Sequence, residues 1–518
     1  MKPKKIGKAF LAGAGPGHPG LVTLRAVEVL RLADVVVYDH LSNPELLRVC
    51  KPGAELIYAG KSAGRHALSQ IEIQKLLVRA AQAGKTVVRL KGGDPYLFGR
   101  GGEEAEFLRE HGVAFETIPG VSAASAVPAF AGIPITHRRV ASAVAFVTGH
   151  LDPAKSDASI DYEALARFPG TLVFFMGVER LAAIVRCLIE SGKNPRTPAA
   201  LIRWGTLPRQ QTLTASLEKL PELAAKAKFR PPALLVIGDV VSLRASLCWY
   251  EKLPLFGKRV VVTRTRTQAG ELTARLLEIG ADVIELPTIE IRPARNQAPL
   301  IQALERLSEF SWVVFSSPNA VEHFFEAFFE SHRDIRALGS CRLAAIGPAT
   351  AAKLSQRGLD VAKLPDSFVA ESLAKSMRRQ KVRGRVLLPR GNLARDVLPR
   401  ELRKAGFQVE TVLVYETIPA TGKRQGHDAL RRLRREGADF VTFTSSSTAE
   451  HFVRLLGRAG VRKLPGRPRF ISIGPVTSRT LRQLGLKVAC QAKTYTVPGV
   501  VEALVQASGN RTRSARRR

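Results

Sequence analysis

Val87-Val88-Arg89-Leu90-Lys91-Gly92-Gly93-Asp94-Pro95-Tyr96-Leu97-Phe98-Gly99-Arg100-Gly101-Gly102-Glu103-Glu104 reads as a short buried strand, a glycine turn and a helix entered at Gly101-Gly102. The glycines at 92 and 93 remove side chains where the backbone bends or where a ligand must come close. Asp94 follows at once, pinned by Pro95. A carboxylate at the carboxyl end of a strand suits a ribose hydroxyl or an ammonium group. The same residues also make an ordinary strand-to-helix turn with an exposed Asp, and the turn alone does not separate the two readings.

Upstream, Ala9-Phe10-Leu11-Ala12 is a short apolar strand. The loop Gly13-Ala14-Gly15-Pro16-Gly17-His18-Pro19-Gly20 follows, then a helix from Thr23 with Leu24, Val27 and Leu30 on one face. The Gly-x-Gly-x-Gly spacing and the proline inside it argue against a dinucleotide cradle. His18 reads as a cap of the following helix. Asp34 to His40 is a second strand ending at the Asp39 carboxylate, and Leu56-Ile57-Tyr58 a third, ending at Gly60-Lys61. Strands at this rhythm, separated by helices, predict a mostly parallel sheet. Such sheets bind ligands beyond the carboxyl ends of their strands. Asp39, Lys61 and Asp94 all sit at such ends; each alone reads equally well as a solvated loop charge, and together they predict one cleft. Gly120-Val121-Ser122-Ala123-Ala124-Ser125 opens a further small-residue turn into a helix. His137 and His150 lack carboxylate or cysteine companions at ligand spacing, so they read as structural and no metal is expected.

The chain has 518 residues, 45% of them hydrophobic, which suggests about three to four domain-sized units. The formal net charge of +34 fits an anionic partner or simply solvated arginine-rich helix faces such as Leu430 to Arg435. Aromatics make up 6% and no basic run alternates with them, so stacking platforms for nucleic acid are not expected. The five cysteines stand far apart, without Cys-x-x-Cys pairs, as in a reducing compartment. The apolar run after the basic N-terminus is short and broken, and no stretch approaches the ~20 apolar residues of a membrane span. A cytoplasmic enzyme is expected.

Beyond a short linker, residues 251–257, the chain repeats itself. Val313 to Phe325 recurs as Val441 to Val453, 128 residues later. Ile346-Gly347-Pro348-Ala349-Thr350 recurs as Ile473-Gly474-Pro475-Val476-Thr477, 127 residues later. Val260 to Arg264 pairs loosely with Val386 to Arg390, 126 residues later. Blocks at nearly one offset predict two copies of one βα architecture. The Ser/Thr turns at 316–317 and 444–445, and the Gly-Pro-x-Thr turns, fall at strand-to-helix junctions. There they cap the helix, or cap it and also offer N–H groups and hydroxyls to a carboxylate.

The glycine-rich stretch, spaced as it is after the N-terminal loop, resembles the uroporphyrinogen-III C-methyltransferase (tetrapyrrole methylase) family over roughly residues 6 to 250. Gly170 to Gly177, Trp204-Gly205-Thr206 and Ala233 to Val241 fit the same pattern. Many members carry Asp where this chain has His18. The resemblance implies an α/β fold of two subdomains, about 1–136 and 137–250, with S-adenosylmethionine between them and a homodimer formed through this half. It implies that Asp39 accepts a proton and Lys61 donates one; Lys61 serves equally well to hold a substrate carboxylate. It places the cofactor against Pro16, Gly92, Gly93, Asp94, Leu97, Ser122, Ala123, Met176 and Gly205.

Residues 258–505 resemble uroporphyrinogen-III synthase through Val262-Thr263-Arg264, the Ser-Ser-x-Asn turn, Leu388-Pro389-Arg390-Gly391 and Val414-Tyr415-Glu416-Thr417. That family has two similar lobes, with crossings expected here near Ile289 to Pro293 and Tyr415 to Pro419, and uses no cofactor. Tyr415 assists loss of the substrate hydroxyl, or is a core tyrosine. Thr263, Ser317, Thr350, Thr444, Ser445 and Thr477 are the candidate substrate contacts. The expected whole is a fused two-activity α/β enzyme: hydroxymethylbilane is cyclised, and the product is methylated twice to precorrin-2. Small tetrapyrroles are the expected partners, without membrane or nucleic acid, and residues 506–518 form a basic disordered tail. The alternatives are a superfamily methyltransferase acting on ribosomal RNA or another corrin intermediate, and a basic nucleic-acid-binding protein with degenerate enzyme halves.

Overall fold

The computed structural model describes residues 6–60, 68–150, 160–264, 266–361, 370–380, 382, 384–394, 396–419 and 424–515. Residues 1–259, with 274–283 and 511–518, form one compact unit; residues 260–273 and 284–510 form the other.

The first unit opens with a wholly parallel sheet of β1 (Ala9–Gly13), β2 (Val35–Tyr38), β3 (Glu55–Tyr58), β4 (Val87–Lys91) and β5 (Phe115–Ile118), in the order β3-β2-β4-β1-β5. Its strands read as apolar runs because helices cover both faces. Leu11, Val37 and Val87 pack under the helix Gln70–Gln82, while Phe10, Ala12, Val36 and Val88 pack under the helix Leu24–Leu32. The latter helix turns a different face inward from the one expected. Ala26, Val29 and Leu30 are buried and Leu24 is 84% exposed. Thr23, whose side chain accepts from the Ala26 N–H, is its cap. His18 caps only the short 3-10 turn Pro19–Leu21.

The second sheet contains β6 (Val144–Thr148), β7 (Thr171–Phe175), β8 (Pro198–Arg203), β9 (Gln211–Ser216) and β10 (Ala233–Ile237), in the order β6-β7-β10-β8-β9. Only β6 and β7 are parallel; the other three pairings are antiparallel, so the parallel expectation holds for the first sheet and not for this one. Residues 204–210 are too few for a crossover, which forces β9 to return beside β8. Ala124 and Val127, from the helix Ala123–Phe130, share a core with Val173, Ala200, Ile202 and Val236. The core of this sheet therefore begins before residue 137. The linker stretch is packed as well: Leu255 is fully buried and its N–H donates to the Ile279 carbonyl.

From residue 259 onward the chain lays down β11 (Arg259–Val262) and β12 (Asp282–Glu285), then leaves that sheet through β13 (Ile289–Pro293). It builds β14 (Phe310–Phe315), β15 (Arg342–Ala345), β16 (Arg385–Gly391) and β17 (Gln408–Pro419), and returns for β18 (Phe440–Phe443), β19 (Arg469–Ser472) and β20 (Val488–Gln491). The sheet orders are β12-β11-β18-β19-β20 and β13-β17-β16-β14-β15. The two crossing segments pair with each other antiparallel, from Ile289↔Pro419 to Pro293↔Tyr415.

The two crossings fall where they were expected, and they distribute the repeat over both sheets. At the 126–128-residue offset, β11 and β12 answer to β16 and β17, and β14 and β15 answer to β18 and β19. Each sheet takes its leading strands from one copy and its trailing strands from the other. Ile291 and Thr417, which are repeat equivalents, face each other at the middle of the crossing ladder. The copied phenylalanines fill equivalent cores: Phe315 and Phe324 in one, Phe443 and Phe452 in the other.

The final helix spans Val497–Ala515 and buries Val500, Ala503, Leu504 and Ala507. It extends as helix through 506–515, part of the segment expected as a basic disordered tail, and among the described residues Ala507 is the last that it buries. Among the described residues no helix is long and apolar enough to cross a membrane.

Candidate active sites

Beyond the carboxyl ends of β1, β4 and β5, three glycines touch backbone to backbone. A Cβ on Gly120 would lie 2.2 Å from the Gly93 carbonyl oxygen and 2.8 Å from the Gly13 Cα. Gly15 and Gly93 also exchange N–H···O bonds of 3.2 and 2.7 Å. Gly93 itself faces open space, since a Cβ there would meet only the Ala123 nitrogen, at 3.9 Å. Gly92 serves packing instead: its Cβ would sit 2.5 Å from the Leu41 Cβ, in the loop that carries Asp39.

Asp94 staples this cradle. Oδ1 accepts from the Tyr96 and Leu97 N–H groups (2.8 and 3.1 Å), and Oδ2 accepts from the Gly120 N–H at 2.9 Å. The carboxylate that looked suited to a ligand is first of all a loop clamp. Ser122 caps the helix Ala123–Phe130 by accepting from the Ala124 N–H, and Ala123 and Leu97 are half-buried against the second sheet's core. Pro16 is half-buried in the glycine loop.

Loops from the second sheet meet this surface. Thr206 Oγ1 accepts from the His18 N–H at 3.1 Å, and the Phe98 and Phe175 rings lie 5.0 Å apart. Met176, half exposed, has a φ of +57°. Gly205 packs on Val127, whose Cγ1 would lie 2.4 Å from an added Cβ, so its missing side chain serves packing on that helix. Of the seven non-glycine positive-φ residues among the described residues, Phe98, Arg100, Met176, Trp204 and Thr206 all lie in these loops. Strained backbone concentrated in one place is a mark of a working surface.

Asp39 ends β2 with its Oδ1 accepting from the Leu41 and Ser42 N–H groups (3.0 and 3.2 Å), while Arg89 Nη2 stands 3.5 Å from Oδ2. Its charge, after burial, pushes the Tyr58 phenol up. Lys61 lies outside the described residues.

In the second unit, Tyr415 Oη and Ser317 Oγ are 3.3 Å apart. Ser317 also caps the helix Pro318–Ser331, accepting from the Ala320 N–H at 3.2 Å. Gly391 makes room for Tyr415, since a Cβ there would fall 2.4 Å from the ring. Ser445 repeats the cap on the helix Ser446–Leu456, with Ser447 Oγ 3.0 Å away, and Thr444 is half-buried beside it.

Three expected contacts are not at the surface. Thr263 is fully buried and donates to the Thr442 carbonyl at 2.8 Å. Thr350 and Thr477 are 3% and 4% exposed. All three are buried, at a strand end or in a helix's first turn, whereas Ser317, Thr444, Ser445 and Tyr415 are half-buried. Among the described residues no group of three or more His, Cys, Asp and Glu is placed to hold a metal ion.

A porphyrin biosynthesis protein HemD from Ruminiclostridium josui is 33% identical to this chain over 504 residues, 97% of this chain and 98% of that protein. The chain belongs to that family.

Its two parts match separate family models: residues 8–221 the tetrapyrrole (corrin/porphyrin) methylases, and 270–502 the uroporphyrinogen-III synthase HemD. This HemD-family chain is thus a fusion of a methylase half and a synthase half. A Bacillus subtilis uroporphyrinogen-III C-methyltransferase is 41% identical over 70% of this chain and 74% of its own length. A siroheme synthase from Thiobacillus denitrificans is 49% identical over 47% of this chain, which spans about half (50%) of that protein. Among solved structures, a Thermus thermophilus uroporphyrin-III C-methyltransferase complexed with S-adenyl homocysteine is 43% identical, covering 46% of this chain and 100% of its own, at a TM-score of 0.40. A mutant uroporphyrinogen III synthase from Thermus thermophilus is 18% identical, covering 49% and 99%, at a TM-score of 0.37.

Sequence reasoning missed part of the methylase half. Arg89, Lys91 and Glu104 are buried, at 4%, 4% and 0% exposure. The signal was present: two cations two residues apart in a strand read as buried.

Proposed function

We propose that the synthase half closes hydroxymethylbilane to uroporphyrinogen III and that the methylase half methylates this product twice, with S-adenosylmethionine, to precorrin-2, on the route to sirohaem and cobalamin. The observation that carries the reading is the full-length match to one porphyrin biosynthesis protein, with both halves in a single chain. The product of one family is the substrate of the other.

In the methylase half, S-adenosylmethionine would lie against the Gly93 opening, with Leu97, Ala123 and Met176 around it. The residues fit such a group: the Gly93 Cα is open and the surrounding loops are fixed to one another by backbone contacts. The bound cofactor supplies a methyl on a sulfonium. The protein aligns the pyrrole carbon with that methyl and manages the proton the ring must lose. Asp39 takes the proton on Oδ2, the oxygen that its own turn leaves unengaged.

In the synthase half, Tyr415 donates from Oη to the departing hydroxyl, while the capped helix starts at Ser317 and Ser445 receive carboxylates. The basic balance suits a substrate with eight carboxylates. The methylase half supports a homodimer by resemblance, and the enzyme works in the cytoplasm.

One anaerobic assay tests both halves. Purified protein receives hydroxymethylbilane with and without S-adenosylmethionine, and the tetrapyrrole is identified. Isomer III without cofactor and a dimethylated product with it are expected. Isomer I alone refutes the synthase reading. Isomer III that is never methylated moves the first half to another methyl acceptor.

A further inference from the structure

Arg89 and Lys91 are two apart on β4, so both side chains leave the same face of an interior strand. Two cations in such a place are costly unless their charge is met. They converge on Glu104, in the first turn of the helix Gly101–Glu110. Glu104 Oε1 accepts from Lys91 Nζ at 2.8 Å, Gln70 Nε2 at 3.0 Å and Arg89 Nε at 3.4 Å. Its Oε2 is buried and has no hydrogen-bond partner among the described residues. Burial first, and then Arg89, holds the Lys91 ammonium below its ordinary range.

The rest of Arg89 is turned toward Asp39. Nη1 donates to the Val37 carbonyl at 3.3 Å and to the Leu90 carbonyl at 3.1 Å. Nη2 faces Asp39 Oδ2 at 3.5 Å. Ser42 Oγ, also buried, stands 3.1 Å from Asp39 Oδ1 and 3.2 Å from the Leu90 carbonyl oxygen. Oδ1 is thus fixed by its own turn, and Oδ2 is aimed by one guanidinium that also grips the strand carrying Asp39. Stability alone does not call for this arrangement, since well-packed apolar residues commonly replace a buried ion cluster at no loss.

We propose that Arg89 and Glu104 are positioning residues for Asp39: a buried line of charge that fixes the Oδ2 lone pair for proton uptake during methyl transfer. The inference rests on Asp39 being the acceptor. Glu104 holds the guanidinium from behind, and Arg89 holds the carboxylate in front. Glu104 Oε1 takes Arg89 through Nε, which leaves Nη2 for Asp39.

The test uses the full-length protein and the variants Glu104→Gln, Arg89→Lys and Asp39→Asn, with the two double variants on Asp39→Asn. The readouts are kcat and KM for methylation of uroporphyrinogen III, the Kd for S-adenosylhomocysteine, and the cyclisation rate of the same preparation. Glu104→Gln and Arg89→Lys are expected to lower kcat about 10–100-fold, as loss of an orienting partner does elsewhere. KM, Kd and cyclisation stay within about twofold. On the Asp39→Asn background neither change lowers kcat further, because partners acting through one group are non-additive. Additive losses overturn the proposal, as does a rise in Kd that parallels the fall in kcat, or failure of both single variants to bind S-adenosylhomocysteine. Unchanged kcat in both singles, with Asp39→Asn impaired, sinks the positioning role alone. Unchanged kcat in Asp39→Asn removes the acceptor reading beneath it.

Discussion

Tyr415 and Ser317 meet through their hydroxyls, 3.3 Å apart, where β17 passes the start of the helix Pro318–Ser331. The repeat-equivalent position of Tyr415 is Ile289, 8% exposed, so of the two serine-capped helix starts related by the repeat, Ser317 has a phenol from this position and Ser445 does not. Tyr415→Phe removes the donor and keeps the packing. Cyclisation is expected to fall roughly 10²-fold or more, the usual scale for a lost general acid. Methylation of supplied uroporphyrinogen III should be unchanged. Quantifying isomer III formed from hydroxymethylbilane checks the first point, and product methylation checks the second.

Gly120→Ala drives a methyl carbon into the Gly93 carbonyl and the Gly13 Cα. Neither neighbour is the end of a flexible side chain, so the three loops must separate. A destabilisation of about 1–3 kcal/mol in the first unit is expected, together with loss of S-adenosylhomocysteine binding. Calorimetric titration and thermal unfolding would show it, with cyclisation retained as the control.

Glu116 joins β5 to Arg25 (2.9 Å) and Lys8 (2.7 Å), and these hydrogen bonds, Arg25 first, hold its carboxyl down to about 2. A depressed carboxylate contributes stability above its unfolded pKa and loses it as pH falls through the folded one. At pH 7, Glu116→Gln should cost under about 1 kcal/mol, as for other solvent-facing pairs. The gap to wild type should close as pH falls from about 4.5 toward 2. Urea unfolding of the first unit across that range measures the difference.

Thr417→Pro places a residue without an N–H in the crossing ladder, where the Thr417 N–H donates to Asn392 Oδ1 at 2.9 Å. The substitution should cost about 3 kcal/mol or more by the ordinary penalty for proline in regular structure. Cyclisation should be lost while methylation of supplied uroporphyrinogen III persists. Equal loss of both activities would contradict the separation of the two halves.

The strand-end logic was legible because periodicity is local. Val87 to Lys91 and Ala9 to Ala12 are apolar runs ended by glycine, and the sheet places their ends together. The repeat was legible for the same reason, since its blocks are contiguous. What could not be read was what a side chain faces across the fold. Asp94 looks free in a sequence and clamps Gly120 in space. Thr263 looks like a cleft hydroxyl and is spent on Thr442, 179 residues away. Leu24 falls on a plausible stripe, yet the stripe that packs is Ala26, Val29 and Leu30. Strand direction in the second sheet depended on loop length rather than on strand composition, which is why β8, β9 and β10 reversed the expectation.

The exchange of strands between the two sheets of the synthase half has an ancestral reading. A single copy of the repeat, carrying only β11 to β15, would leave β11 and β14 each with one open edge and β13 without a partner. A second identical chain, turned about the Ile291–Thr417 point, would supply each missing neighbour. The present chain is therefore laid out like a symmetric pair of swapped subunits joined end to end. The Tyr415 phenol beside Ser317, with Ile289 in the twin position, is where that symmetry is broken.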